Sequence, residues 1–127
     1  MKRSITLTAL AALLAAACGS NPMTPTGSTG GGGGGTVTAD VTITIQGQNG
    51  ANSFAPNPST MKVGQKVAWR NADTTTHTAT QDGTGGFATG NVASGATSTP
   101  ITMNTAGTFT YHCTIHPGMV GTLTVTP

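Results

Sequence analysis

The chain has 127 residues with 19 Gly and 7 Pro, and only 6% are charged: five Lys and Arg against three Asp, with no Glu, for a formal net charge of +2. That length holds one small domain and something more, and five basic residues cannot build the stripe with which a nucleic-acid binder displaces counterions. Asp40, Asp73 and Asp82 are its only carboxylates, and none lies close to another in sequence, which argues against catalysis by a carboxylate pair.

Lys2 and Arg3 precede an apolar run through Ile5, Leu7, Leu10, Leu13 and Leu14 that closes on Ala17-Cys18. A basic start, about a dozen apolar residues and a small-residue exit predict a secretory signal peptide over residues 1–17. The run is too short for a membrane span, which needs about 20 apolar residues. Leu14-Ala-Ala-Ala-Cys18-Gly19 resembles a bacterial lipoprotein lipobox, which implies lipidation of Cys18; Ala15 stands where that motif usually has Leu. Ala15-x-Ala17 also suits ordinary cleavage, so plain secretion is the alternative. Both place the protein outside the cytoplasm, in the periplasm or at the cell surface, where disulfides are permitted.

Residues 18–36 run from Cys18 through Gly, Ser, Thr and Pro into six consecutive glycines. No apolar periodicity survives there. Such chain behaves as flexible coil, and about 18 residues of it reach roughly 20–25 Å root-mean-square. This is a tether that holds a domain off a surface.

From residue 37 onward the pattern changes to alternating Thr, Val and Ile. Val41–Ile45 predicts a strand with one apolar face, and Val67 and Trp69 share a side of the next. The Gln81–Gly95 stretch reads as a glycine-rich loop, and Phe54-Ala-Pro-Asn-Pro as a break. Pro100 opens a strand with Ile101 and Met103 on one side. Phe109, Tyr111 and Cys113 share a face opposite Thr108, Thr110 and His112, and Thr122–Thr126 closes with Leu123 and Val125 inward. Met61, Met103, Trp69 and Tyr111 read as core, and His112 as a surface residue. Short strands with frequent turns over 37–127 predict an all-β domain, a small sandwich or barrel.

The chemistry sits in Tyr111-His-Cys113-Thr-Ile-His116-Pro-Gly-Met119, with a second imidazole upstream at His77. Two His, one Cys and a weak axial Met form the ligand set of an electron-transfer copper site. Thiolate and thioether suit Cu(I), while imidazole holds Cu(II), so neither state is strongly rejected. Three other uses of Cys113 compete. It can be a buried apolar filler. It can be a catalytic thiol paired with His, for which no orienting acid is evident beside His77 or His116. It can also ligate zinc, whose structural sites rarely use Met.

The segment from Phe54 to Val125 resembles the cupredoxins, the plastocyanin/amicyanin-like blue copper family. The motifs that carry the likeness are Phe54-x-Pro56, Val63-Gly64-x-x-Val67-x-Trp69-x-Asn71, His77, and Tyr111-x-Cys113-x2-His116-Pro117-x-Met119. The resemblance implies a Greek-key β-sandwich of about seven to eight strands. It also implies one type 1 copper held by His77, Cys113, His116 and axial Met119, with an edge of His116 exposed. Thr78 departs from the Asn usual after the first His, a residue that helps clamp the Cys-bearing loop. The function implied is single-electron transfer by a monomer that is not itself an enzyme, with a c-type cytochrome, an oxidase or a reductase as partner. A copper carrier or storage module without redox turnover is the alternative. His116 with Pro117, Gly118, Met119 and Val120 would form its uncharged docking face. Beyond the signal segment, Lys62, Lys66 and Arg70 balance the three Asp, so the +2 belongs to Lys2 and Arg3.

Overall fold

Two four-stranded sheets face each other across an apolar interior. The computed structural model describes residues 38–127, so the signal peptide, the tether and Cys18 lie outside the described residues. The strands are β1 (Val41–Ile45), β2 (Phe54–Ala55), β3 (Ser59–Lys62), β4 (Lys66–Asn71), β5 (Thr80–Gln81), β6 (Ile101–Thr102), β7 (Gly107–His112) and β8 (Val120–Thr126). One sheet has the order β2-β1-β4-β6 and the other β3-β8-β7-β5. Both are mixed. β1 runs parallel to β4 with Val41 opposite Val67, and β3 runs parallel to β8 with Ser59 opposite Leu123. The remaining pairs are antiparallel. Among the described residues, the only helical piece is a short 3-10 turn at Gly50–Asn52.

Period-2 alternation explains which side chains meet. Ile43, Ile45, Val67 and Trp69 come inward from one sheet, and Met61, Tyr111, Leu123 and Val125 from the other. At the centre the Trp69 and Tyr111 rings meet edge to face at 5.6 Å, Phe54 caps Tyr111 at 4.8 Å, and Phe87 stacks on Trp69 at 5.2 Å. Aromatic pairs of this kind add about 0.5–1.5 kcal/mol beyond the area they bury.

The fold class matches the expectation from the alternating strands, with eight strands in place. Three local readings change. Phe54–Ala55 is a two-residue strand within the expected break, because its register with β1 is set by burial of Phe54 rather than by local pattern. The Gln81–Gly95 stretch is tied down rather than slack. Thr80–Gln81 forms β5, Thr80 and His77 make single bridges to Ala88 and Val92, and Val92 is buried. One-residue bridges leave no periodicity to read. The last strand starts at Val120, two residues before the alternation becomes visible.

Candidate metal centre

Cys113 directly follows β7, and the alternation of that strand turns it inward with Tyr111. Two turns then bring the chain back. The His116 N–H donates to the Cys113 carbonyl at 3.2 Å, and the Met119 N–H to the His116 carbonyl at 2.9 Å. Pro117 pre-sets the backbone at the second position of the latter turn. The Cys113 N–H closes the loop on the Met119 carbonyl at 3.0 Å. Cys113, His116 and Met119 are thus held in one loop by three backbone hydrogen bonds. Met119 is buried in the same apolar cluster as Cys113.

His77 comes from the crossing between β4 and β5, held by paired backbone hydrogen bonds with Val92 at 3.1 and 2.8 Å. Its Nδ1 lies 3.8 Å from Cys113 Sγ and 3.1 Å from His116 Nδ1, and His116 Nδ1 lies 3.8 Å from the sulfur. These donor atoms all fall within 4.8 Å of one another. His77 and Cys113 have 0% exposure, while His116 is half-buried.

Burial alone pushes a thiol up. Here the Thr78 backbone N–H, 3.3 Å from the sulfur, together with His77 and His116, outweighs burial and holds Cys113 at about 6. On the far edge of His77, Nε2 meets Asp73 Oδ2 at 2.8 Å. That bond, with those from the Thr74 N–H and the Thr75 hydroxyl, holds the Asp73 carboxyl at about 2.

The donor set fits a soft or borderline metal. A thiolate and two imidazole nitrogens converge, and the nearest carboxylate faces away from the convergence point, toward the outer edge of His77. Hard cations need several oxygens there. Copper suits this mixture, with the Met119 thioether close in the chain.

Two sequence-level readings are revised. An orienting acid does stand beside His77, namely Asp73, four residues earlier. The Asp-x3-His spacing is the signal that could have found it. The resulting Cys–His–Asp line is nevertheless closed to acyl substrates, because the Cys113 sulfur is fully buried. Met119 does not belong to the surface around His116. It is 1% exposed, and Ile115 at 47% joins Val120 at 43% there instead. His112 stands on the opposite side of the strand, its Nδ1 2.6 Å from Asp82 Oδ1, as its position in the alternation requires. Met61 and Met103 are core. Among the described residues, Cys113 has no disulfide partner.

Residues 41–126 match the family described as copper binding proteins, plastocyanin/azurin family. Among solved structures, the chain is similar to a purple cupredoxin from Nitrosopumilus maritimus, at 25% identity and a TM-score of 0.61, over 68% of this chain and 100% of that one. It is also similar to a Cu-containing nitrite reductase from Thermus scotoductus (29%, TM-score 0.59), over 68% of this chain and 22% of the reductase. A mutant of amicyanin in the Cu(I) state aligns at 25% identity and a TM-score of 0.57, over 67% of this chain and 80% of that one. No curated protein sequence matches the chain.

Proposed function

The chain belongs to the plastocyanin/azurin family of copper-binding proteins, the cupredoxins, and from that membership we propose that it carries single electrons outside the cytoplasm. The convergence of His77 Nδ1, Cys113 Sγ and His116 Nδ1 within 4.8 Å carries this reading. These three residues, together with the Met119 thioether, would hold one type 1 copper ion. Bound there, copper supplies the one-electron Cu(II)/Cu(I) couple.

The side chains do the rest. Cys113 offers a sulfur whose low pKa favours the thiolate that a metal needs. The buried His77 and Met119 keep water from the inner side. Hydrogen bonds at both ends of the Cys113–Met119 loop limit ligand movement, which keeps the reorganisation small when an electron passes. His116 is the ligand that reaches the surface, where exposed Ile115, Pro117, Gly118 and Val120 surround it with no charge. Weak redox encounters bury less than about 1,200 Å², so a small uncharged patch is enough for a c-type cytochrome, an oxidase or a reductase as partner.

The domain plan belongs to the same proposal: a signal peptide over 1–17, a tether over 18–36 anchored by lipid at Cys18, and a monomeric copper domain over 37–127. Intact mass of membrane-extracted protein reads the anchor, and an unmodified soluble species beginning at Cys18 removes it from the scheme.

Adding Cu(II) to the purified protein is expected to produce an intense thiolate-to-copper absorption band, bleached by mild reductant and absent in Cys113→Ala. A pale complex with ordinary tetragonal EPR would sink the proposal. Reversible electron exchange with a c-type cytochrome separates a shuttle from a carrier; rapid loss of copper to a chelator without such exchange marks the carrier.

A further inference from the structure

We propose that Asp73 is a positioning residue for His77: its carboxylate accepts a hydrogen bond from the Nε2–H, turns the Nδ1 lone pair toward Cys113 and His116, and biases the site toward the more highly charged state of copper. The part concerning copper rests on the functional reading above; the part concerning the ring does not.

The contact is built rather than incidental. Asp73 Oδ2 lies 2.8 Å from Nε2 of a ring with no solvent exposure. A carboxylate at neutral pH only accepts hydrogen bonds, so Nε2 carries a proton, and in the neutral ring Nδ1 is then the free acceptor. The Thr75 hydroxyl, 3.0 Å from Nε2, donates to Asp73 Oδ2 at 2.9 Å. The Thr74 N–H holds Oδ1 at 2.7 Å. The backbone of Asp73 is fixed in turn, its N–H donating to Asn71 Oδ1 at 2.9 Å.

Asn71 is fully buried, and its amide donates to the carbonyls of Thr75 at 2.7 Å and Val92 at 2.9 Å. Val92 is also the backbone partner of His77. The acid, the ring and the strand that hold them are therefore one hydrogen-bonded unit. Gly47 completes it from the end of β1. A Cβ there would stand 3.1 Å from Asp73 Oδ2, and its φ of +101° is one that side-chain-bearing residues rarely adopt. The backbone gives way where the carboxylate sits.

An anion bonded to the outer edge of a metal-binding imidazole raises its basicity and fixes its tautomer. It stabilises a dipositive ion more than a monopositive one. Removing the charge should therefore weaken Cu(II) binding more than Cu(I) binding and raise the reduction potential.

The test uses the full chain with Asp73→Asn, Asp73→Ala and, as a control, Thr75→Val. In metal-free protein, nitrogen-15 NMR of the rings should find His77 protonated on Nε2 and protected from exchange. Asp73→Ala should lose that protection, while Asp73→Asn, which keeps an acceptor, and Thr75→Val should retain it. In competition titrations, Asp73→Ala should lose about 10- to 100-fold in Cu(II) affinity. Asp73→Asn should lower the Cu(II)-to-Cu(I) affinity ratio about tenfold, equivalent to a potential about 59 mV higher for a one-electron couple. An unchanged His77 proton in Asp73→Ala, or an unchanged ratio in Asp73→Asn, overturns the proposal. If the wild type forms no blue band, the functional reading fails, and the metal-free NMR comparison still decides the role of Asp73. Asp73→Asn is nearly isosteric, so it answers the question even where Asp73→Ala does not fold.

Discussion

Thr78 shows how much one hydroxyl can replace. The resemblance implies Asn at that position, a longer side chain that ties the Cys-bearing loop. In this protein the Thr78 Oγ1 accepts the Thr114 N–H at 2.8 Å and meets the Thr114 hydroxyl at 3.0 Å, while its own N–H reaches Cys113 Sγ at 3.3 Å. The clamp survives because Thr114 supplies the second half of the reach. Tyr111 poses the opposite case: its hydroxyl is buried with no hydrogen-bond partner among the described residues, and burial pushes the phenol up to about 12. The sign of the pH effect follows. Because the folded pKa lies above the unfolded one, the contribution of Tyr111 to stability is intact below pH 10 and is lost as pH rises toward 12. At about 1.4 kcal/mol per unit, the loss approaches about 3 kcal/mol. Tyr111→Phe should remove that part of the alkaline destabilisation and cost little at neutral pH, since it deletes an unpartnered group. The chain has a single Tyr, so tyrosinate absorbance reports it directly. Ionisation near pH 10 in the folded protein would contradict this account.

At the scale of elements, the β7–β8 pair decides where the site can form. Tyr111 stands directly opposite Gly121, and the ring lies over the space a side chain would take. A Cβ at Gly121 would come within 2.3 Å of Tyr111 Cζ and 2.5 Å of its hydroxyl. The ring cannot swing away, being wedged between Phe54 and Trp69. Gly121→Ala should therefore destabilise the domain by about 1–3 kcal/mol, read as a lower thermal midpoint. Tyr111→Phe should not rescue it, because the offending ring carbon remains; a midpoint equal to wild type would refute the packing argument. These elements also show what sequence reveals. β1, β7 and β8 announce themselves, since each alternates around one buried face, whereas β4 buries Val67, Ala68 and Trp69 in a row. β2 and β5 have two residues each and no period of their own, while β6, equally short, is legible from Pro100 and the shared side of Ile101 and Met103. The ligand candidates were legible because their residue types are chemically distinctive and three of the four, Cys113, His116 and Met119, are closely spaced. Asp73 offered only the bare Asp-x3-His spacing, a weak signal in a loop, where an acid gains its meaning when the backbone turns it onto the ring.

Across the whole molecule, charge is nearly absent where contact should occur. Lys62, Lys66 and Arg70 balance Asp40, Asp73 and Asp82, so residues 38–127 sum to zero. The acids are also engaged: Asp40 accepts the Lys66 N–H, Asp73 is bound to His77, and Asp82 is paired with His112. No charged residue lies between Cys113 and Val120, the stretch that surrounds the exposed edge of the centre. The basic residues Lys2 and Arg3, which account for the +2 of the full chain, fall within the predicted export signal. Long-range steering raises association rates by about 10- to 1,000-fold and collapses as salt screens it. On the proposed function, a neutral domain forgoes that gain and would dock through the apolar surface at His116. The second-order rate of electron exchange with a c-type cytochrome should then vary by less than about twofold over a salt range that abolishes steering in charged pairs. Val120→Asp places a charge in the exposed patch and should introduce a salt dependence whose sign follows the charge of the partner. Stopped-flow kinetics across ionic strength measures both, and a steep dependence in the unmodified protein would mean that partners dock elsewhere than on this neutral face.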